Sequence, residues 1–158
     1  MNKLDLAVQL MEKSGEEISS LPPSSDMQIK EAEEYLKIVF PPSYKAFLKK
    51  FSCMSFEAEE FYGITNSGIN ANAVPSVIFA THAARARGDI SESMIKIKTS
   101  GYGPNFCIDM SELNSEGEGA VYEVPLSYKR DGEKTKVADS FADFFYDEIK
   151  AAVEDLED

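Results

Sequence analysis

An α+β fold is what the sequence predicts, on three observations. Amphipathic helical stripes occupy both ends of the chain, period-two and β-branched or aromatic runs occupy its middle, and Gly, Asn and Pro separate those runs. Helices flanking a run of strands argue for helices packed on one face of an antiparallel sheet. The expected sheet is twisted, has about 4 to 6 strands, and carries the N-terminal and C-terminal helices against it. At 158 residues the chain reads as one domain, residues 1–158, long enough to bury a single core unaided.

A first helix follows from Leu4, Ala7, Val8, Leu10 and Met11 at helical spacing, with Ser14-Gly15 as its stop. The stretch Glu16 to Ser24 contains Leu21-Pro22-Pro23 and reads as a connector, because proline lacks an amide donor and restricts its predecessor. Ser25 with Gln28 three positions on forms a capping box for a second helix carrying Ile29, Ala32 and Leu36. Pro41-Pro42 breaks that helix and opens a third, where Tyr44, Phe47, Leu48 and Phe51 make one stripe. These two helices form an αα unit with a short turn between them.

Strands are expected at Cys53 to Phe56, Phe61 to Ile64, Met94 to Lys98, Asn105 to Asp109, Ala120 to Val124 and Lys134 to Val137. Met94-Ile95-Lys96-Ile97-Lys98 alternates apolar and cationic residues, the pattern of a strand with one wet face. Gly101-Tyr102-Gly103-Pro104 and Asp131-Gly132 supply turns. Pro75 to Arg87 reads either as a helix ended by Gly88 or, through Val77-Ile78-Phe79, as a strand. The last helix starts at Asp139 or Ser140 and lines up Phe141, Phe144, Phe145, Ile149, Ala152, Val153 and Leu156. Phe141, Phe144 and Phe145 are expected to be buried against the sheet with Tyr44 and Phe47.

An apolar share of 43% with ten Phe and seven Tyr argues against wholesale disorder. Acidic residues outnumber basic ones 28 to 16, a formal charge of −12 that repels phosphate backbones and anionic lipid surfaces. Neither nucleic acid nor membrane is therefore an expected partner, whereas a basic protein is; solubility alone is the competing explanation of the charge. Cys53 and Cys107 each sit beside apolar residues and read as buried free thiols. The first nine residues lack an unbroken apolar core with a cleavage site, and no run approaches the roughly 18 to 20 apolar residues of a spanning helix. A cytoplasmic location, as a monomer or weak homodimer, is expected.

Catalytic machinery is hard to assemble from these residues. His82 is the only histidine, and Ala80-Thr81-His82-Ala83-Ala84 places no nucleophile beside it. One histidine and two isolated cysteines do not make a zinc site of recognised spacing, and no EF-hand loop is present. The glycines at 101 and 103 lack the GKS/T and the following helix of a phosphate loop. Carboxylates are numerous enough that a paired-acid hydrolase remains open by count, although Glu57, Glu59, Glu60 and Glu112, Glu116, Glu118 read as solvated loops. Arg85, Arg87, Lys129 and Arg130 are the compact basic groups; anion binding or local pairing explains them equally. No catalytic residue, metal or cofactor is expected.

The stretch Ile29-x-x-Ala32-Glu33-x-x-Leu36-x-x-x-Phe40-Pro41-x-x-Tyr44-x-x-Phe47-Leu48 resembles the N-terminal signature of the SUKH superfamily, in the branch shared with fungal cell-wall assembly regulators. Phe61-Tyr62-Gly63-Ile64 resembles its "fyGi" strand, and Ile95 to Asp109 its central glycine-containing hairpin. Ala138-Asp139-Ser140-Phe141-x-x-Phe144-Phe145 resembles its closing helix. One departure is Phe51-Ser52-Cys53, where many members carry an Asn-Gly-Gly turn. The resemblance implies an α+β fold without enzymatic activity. For bacterial members it implies immunity to polymorphic toxins, many of them nucleases or other nucleic-acid-modifying enzymes; the fungal relatives suggest a regulatory scaffold instead. A cognate toxin, if basic, is expected to meet the acidic loops: Glu57, Glu59 and Glu60, then Asp109 and Glu112, with Glu116 and Glu118.

Overall fold

The computed structural model describes residues 2–100, 103–125 and 133–157. Helix α1 (Lys3–Ser14) begins under an Asn2 cap and ends at Gly15 in the left-handed conformation. Strand β1 (Ile18–Ser20) follows, then α2 (Asp26–Leu36), α3 (Pro42–Phe51), β2 (Met54–Phe56) and β3 (Glu59–Phe61). After a short 3-10 turn at Gly68–Asn70 come α4 (Val77–Arg87), β4 (Met94–Thr99), β5 (Asn105–Leu113), β6 (Gly119–Val124), β7 (Thr135–Ala138) and α5 (Phe141–Leu156). The architecture is α+β, with all pairing between named strands antiparallel.

The strands divide between two sheets, of order β1-β2-β3 and β4-β5-β6-β7. The segment read as a connector contains β1, which pairs Ile18 with Phe56 and Ser20 with Met54. At three residues it is too short for period-two patterning to register. The strand expected at Phe61 to Ile64 lies earlier, at Glu59–Phe61; Tyr62 then donates its N–H to Ile97 O at 2.9 Å, and Gly63 makes a single parallel bridge to Ser76. Of the two readings of Pro75 to Arg87, the helix is the one found: Ser76 caps it by accepting from Phe79 N, and Gly88 closes it. The capping box of α2 forms in both directions, Gln28 N to Ser25 Oγ at 3.1 Å and Ser25 N to Gln28 Oε1 at 2.8 Å. The turns at Gly101-Tyr102 and Asp131-Gly132, together with Lys129 and Arg130, lie outside the described residues.

Tyr44, Phe47, Phe141 and Phe145 are fully buried and Phe144 nearly so, as the stripes predict. Their rings interlock at centroid distances of 5.1 Å for Phe47–Phe141 and 4.8 Å for Phe61–Phe145, geometries that add to the burial energy itself. Tyr44 keeps its buried hydroxyl satisfied by donating to Tyr62 O at 2.7 Å. At the departure from the Asn-Gly-Gly pattern, Ser52 adopts φ 63 and turns the chain back toward β2. It is buried, hydrogen-bonded to Ser24 through the two hydroxyls, and its carbonyl lies where a Cβ on Gly63 would fall, 1.5 Å away. Only glycine fits at 63.

The larger sheet has two apolar faces of unequal extent. Ile95, Ile108 and Val121 fall opposite one another and join the main core with α5. On the other face Met94, Cys107 and Val124 form a smaller cluster with Ala84 of α4 and Ile90. Helices therefore meet both faces of this sheet, where the sequence suggested one. The second face continues past the small cluster to Asp109, Ala120 and Tyr122, where a groove opens.

Candidate functional site

The groove has a volume of about 630 Å³ and runs across β5, β6 and β7, from Leu113 and Asn114 at the β5–β6 hairpin to Asp139 ahead of α5. Strand alternation builds its floor, since Asp109, Ala120 and Tyr122 lie on the face opposite Ile108 and Val121. Gly119 permits the hairpin to close over it: a Cβ there would sit 2.4 Å from Asp109 O. Lys134 reaches across to bond Asp109 and passes over the Tyr122 ring, 4.4 Å from its centroid. Lys136 pairs with Asp139 at 2.5 Å.

Asp109 does not lie on a loop as expected. It sits within β5 at 4% exposure, accepting from Ser93 Oγ at 3.0 Å and Ser111 N at 2.9 Å as well as from Lys134. Burial pushes its carboxyl up, but the hydrogen bonds from Lys134 and Ser111 and the Lys134 charge outweigh that effect, so the carboxyl titrates below its ordinary range. Glu118 is likewise buried. Its carboxylate accepts from Ser43 N at 2.9 Å and Ser43 Oγ at 2.7 Å, and Ser43 Oγ in turn accepts from Ala142 N at 3.3 Å. Helix α3 has no side-chain cap of its own at Pro41, so Glu118 serves as one from a distant hairpin.

Glu112 and Glu116 are exposed on the β5–β6 hairpin, and Glu57 and Glu60 on the β2–β3 hairpin. Glu59 is directed inward, its carboxylate 2.7 Å from Lys98 Nζ, which also lies 3.6 Å from Glu148 and within reach of the Phe61 and Phe106 rings. Lys98 is buried, so the wet-face alternation read for β4 ends at Lys96. The seven acids thus fall in two groups at opposite ends of the β4–β5 ladder, where Met94 faces Asp109 and Thr99 faces Asn105. Of the second group, Asp109, Glu112 and Glu118 line the groove and Glu116 does not.

Sequence reasoning missed Tyr122, Lys134, Lys136 and Asp139, whose common face depends on the pairing of β6 with β7. Period-two spacing from Lys134 to Lys136 and from Ala120 to Tyr122 is the signal that marks them. Arg85, weighed above for anion binding, is buried and donates to Leu36 O at 2.6 Å and Met94 O at 3.2 Å; Arg87 pairs with Asp89 at 2.8 Å. His82 is exposed beside Tyr35, with ring centroids 5.6 Å apart. Among the described residues no three His, Cys, Asp or Glu side chains gather closely enough to hold a metal ion, and no helix is long and apolar enough to cross a membrane. A family model described as SUKH_6, SMI1-KNR4 cell-wall, matches residues 26–145, from the first residue of α2 to Phe145 in α5, and so spans the groove and all seven acids.

Proposed function

The chain belongs to the SUKH_6 family, SMI1-KNR4 cell-wall, and on that premise we propose that it is a non-catalytic immunity protein. It binds a cognate, basic toxin protein and neutralises it by occlusion. The observation that carries this reading is the exposure of Glu57, Glu60, Glu112 and Glu116 on two hairpins of a chain with net charge −12. Carboxylates so placed raise the encounter rate with a cationic protein and select against acidic ones. The cell-wall term in the family description favours a second reading, a regulatory scaffold, which retains protein binding and drops the toxin.

Co-expression with a toxin encoded beside this gene tests the first reading: growth is restored and the two proteins co-purify. Failure of both for every neighbouring toxin leaves the scaffold. The contribution of the β2–β3 hairpin is measured with Glu57→Lys combined with Glu60→Lys. Glu59 is left intact, because a cation there would face the buried Lys98. Stopped-flow association at low salt slows by about tenfold, and the difference shrinks at high salt where exposed charges are screened. An unchanged rate at both salt concentrations removes this hairpin from the binding surface.

A further inference from the structure

The two edges of the four-stranded sheet differ. Along β4, backbone groups are already engaged from outside the sheet: Arg85 Nη2 donates to Met94 O at 3.2 Å, Lys96 N donates to Thr81 Oγ1 at 3.0 Å, and Tyr62 N donates to Ile97 O at 2.9 Å. Strand β7 ends the sheet order, and no described strand pairs with its outer edge. Thr135, Lys136 and Val137 are all exposed there, Val137 at 39%. An open edge is a row of backbone donors and acceptors that a further strand can replace water on. The outer edge of β1 is a poorer candidate: that strand has three residues, and Pro22-Pro23, lacking amide donors, stop the ladder from lengthening.

We propose that the outer edge of β7 accepts an extended, basic segment of the protein partner as an added strand, with the partner's side chains reaching into the groove. The inference rests on the partner-binding reading above and names its mode. Charge selects the occupant. The groove is lined by four carboxylates against two ammonium groups: Asp109 and Asp139 pair with Lys134 and Lys136, and Glu118 is buried against Ser43, so the excess charge is negative and the exposed Glu112 carries part of it. A second copy of the chain would bring another −12 to the same edge, which opposes self-pairing. The pleat sets the pattern, since alternate residues of an added strand face opposite sides. One set lies beside Lys136, whose ammonium is already paired with Asp139, so long cationic side chains reach past it toward the carboxylates of the groove; the other lies beside Val137, so an alternation of cationic and apolar residues fits both.

The probe is a capped octapeptide of alternating lysine and valine, with a twin N-methylated at two adjacent central residues so that neither of its edges pairs without interruption. Amide shifts and exchange rates are followed by NMR across the full chain, with residues 134–138 compared against the hairpin carrying Glu57 and Glu60. Saturation with the peptide is expected to slow exchange of outward-facing β7 amides by about tenfold or more, and methylation to weaken binding by at least about tenfold. Three outcomes overturn the proposal: no binding, equal binding of the methylated twin, or perturbation confined to Glu57 and Glu60. Protection of the β7 edge without peptide, together with sedimentation as a dimer, also overturns it by assigning the edge to a second copy. None of these bears on toxin protection, which the co-expression assay reads separately.

Discussion

Replacing Glu118 by alanine separates the structural carboxylates from those that are merely exposed. The substitution removes the acceptor of two hydrogen bonds, from Ser43 N at 2.9 Å and Ser43 Oγ at 2.7 Å, and leaves α3 uncapped. A hydrogen bond to a charged group contributes about 1.5 to 3 kcal/mol, and loss of an N-cap costs about 0.5 to 2 kcal/mol. These are overlapping descriptions of one interaction, and water in the adjoining groove takes over part of it, so the expected loss is about 2 kcal/mol. For a chain of this length that lowers Tm by roughly 4 to 8 °C. Glu118→Gln retains one acceptor and loses the charge, giving about half the effect. Urea unfolding is the assay, with the dependence on denaturant unchanged. A double-mutant cycle with Ser43→Ala should return a coupling of about 1 kcal/mol. Glu116→Ala, two residues away and exposed, is expected to stay within about 0.5 kcal/mol of the parent. Equal stability of the Glu118 and Glu116 alanine variants would refute the capping role.

Phe144, packed 5.2 Å from the Phe106 ring and 6.2 Å from Phe61, should cost about 3 to 5 kcal/mol on truncation to alanine; an unchanged Tm would displace α5 from the sheet. Burial, with the Glu60 charge adding, pushes the Cys53 thiol up to about 11, and burial pushes Cys107 up to about 12 against the opposing charge of Lys96. Iodoacetamide at pH 8 should therefore leave both unmodified in the folded chain and label both in urea; rapid native labelling of Cys107 would contradict its burial. Because Asp109 titrates below its ordinary range when folded, its contribution to stability is present above the unfolded pKa and is lost as pH falls through the folded one. Asp109→Asn should accordingly flatten the acid limb of the stability curve below about pH 4, and an acid limb of unaltered slope would show that the Lys134 pair contributes nothing.

Local chemistry made the helices legible. Ser25 with Gln28 at α2, Pro42 at the start of α3, and Gly15 and Gly88 at two helix ends each act within a few residues, and each works in the fold as it reads in the chain. The aromatic stripe of α5 was legible for a related reason, since 3.6-residue spacing over four turns leaves little choice of buried face. What was not legible depends on partners distant in sequence. β1 exists because β2 pairs with it, and Ile-Ser-Ser alone carries no strand signal. Asp109 and Glu118 read as surface acids because nothing in their neighbourhoods announces Lys134 or Ser43, the latter 75 residues away from Glu118. Glu59 looks like its neighbours Glu57 and Glu60 until the ladder brings Lys98 beside it.

That distinction bears on how the negative charge of the chain acts. Asp109, Glu59 and Glu118 hold strands and helices together, so substituting them perturbs stability and binding at once and cannot isolate a contact with a partner. Glu57 and Glu116 in hairpin turns, and Glu60 and Glu112 on the strands beside them, are exposed, so a charge change there moves the long-range field while the core contacts stay in place. The Lys98 cluster shows the two roles meeting within one hairpin. Burial raises the Glu148 carboxyl, the Lys98 charge opposes that rise, and Glu59 adds to it, so Lys98 holds two competing carboxylates and the shorter contact goes to Glu59. The turn end of the β2–β3 hairpin, where Glu59 faces Phe56, is thereby fixed to β4, with Glu57 in the anchored turn and Glu60 on the strand that leaves it. An anchored charge loses less conformational entropy on meeting a partner than one on a loose loop, so under the proposed function these two carboxylates would engage a toxin with a smaller ordering cost.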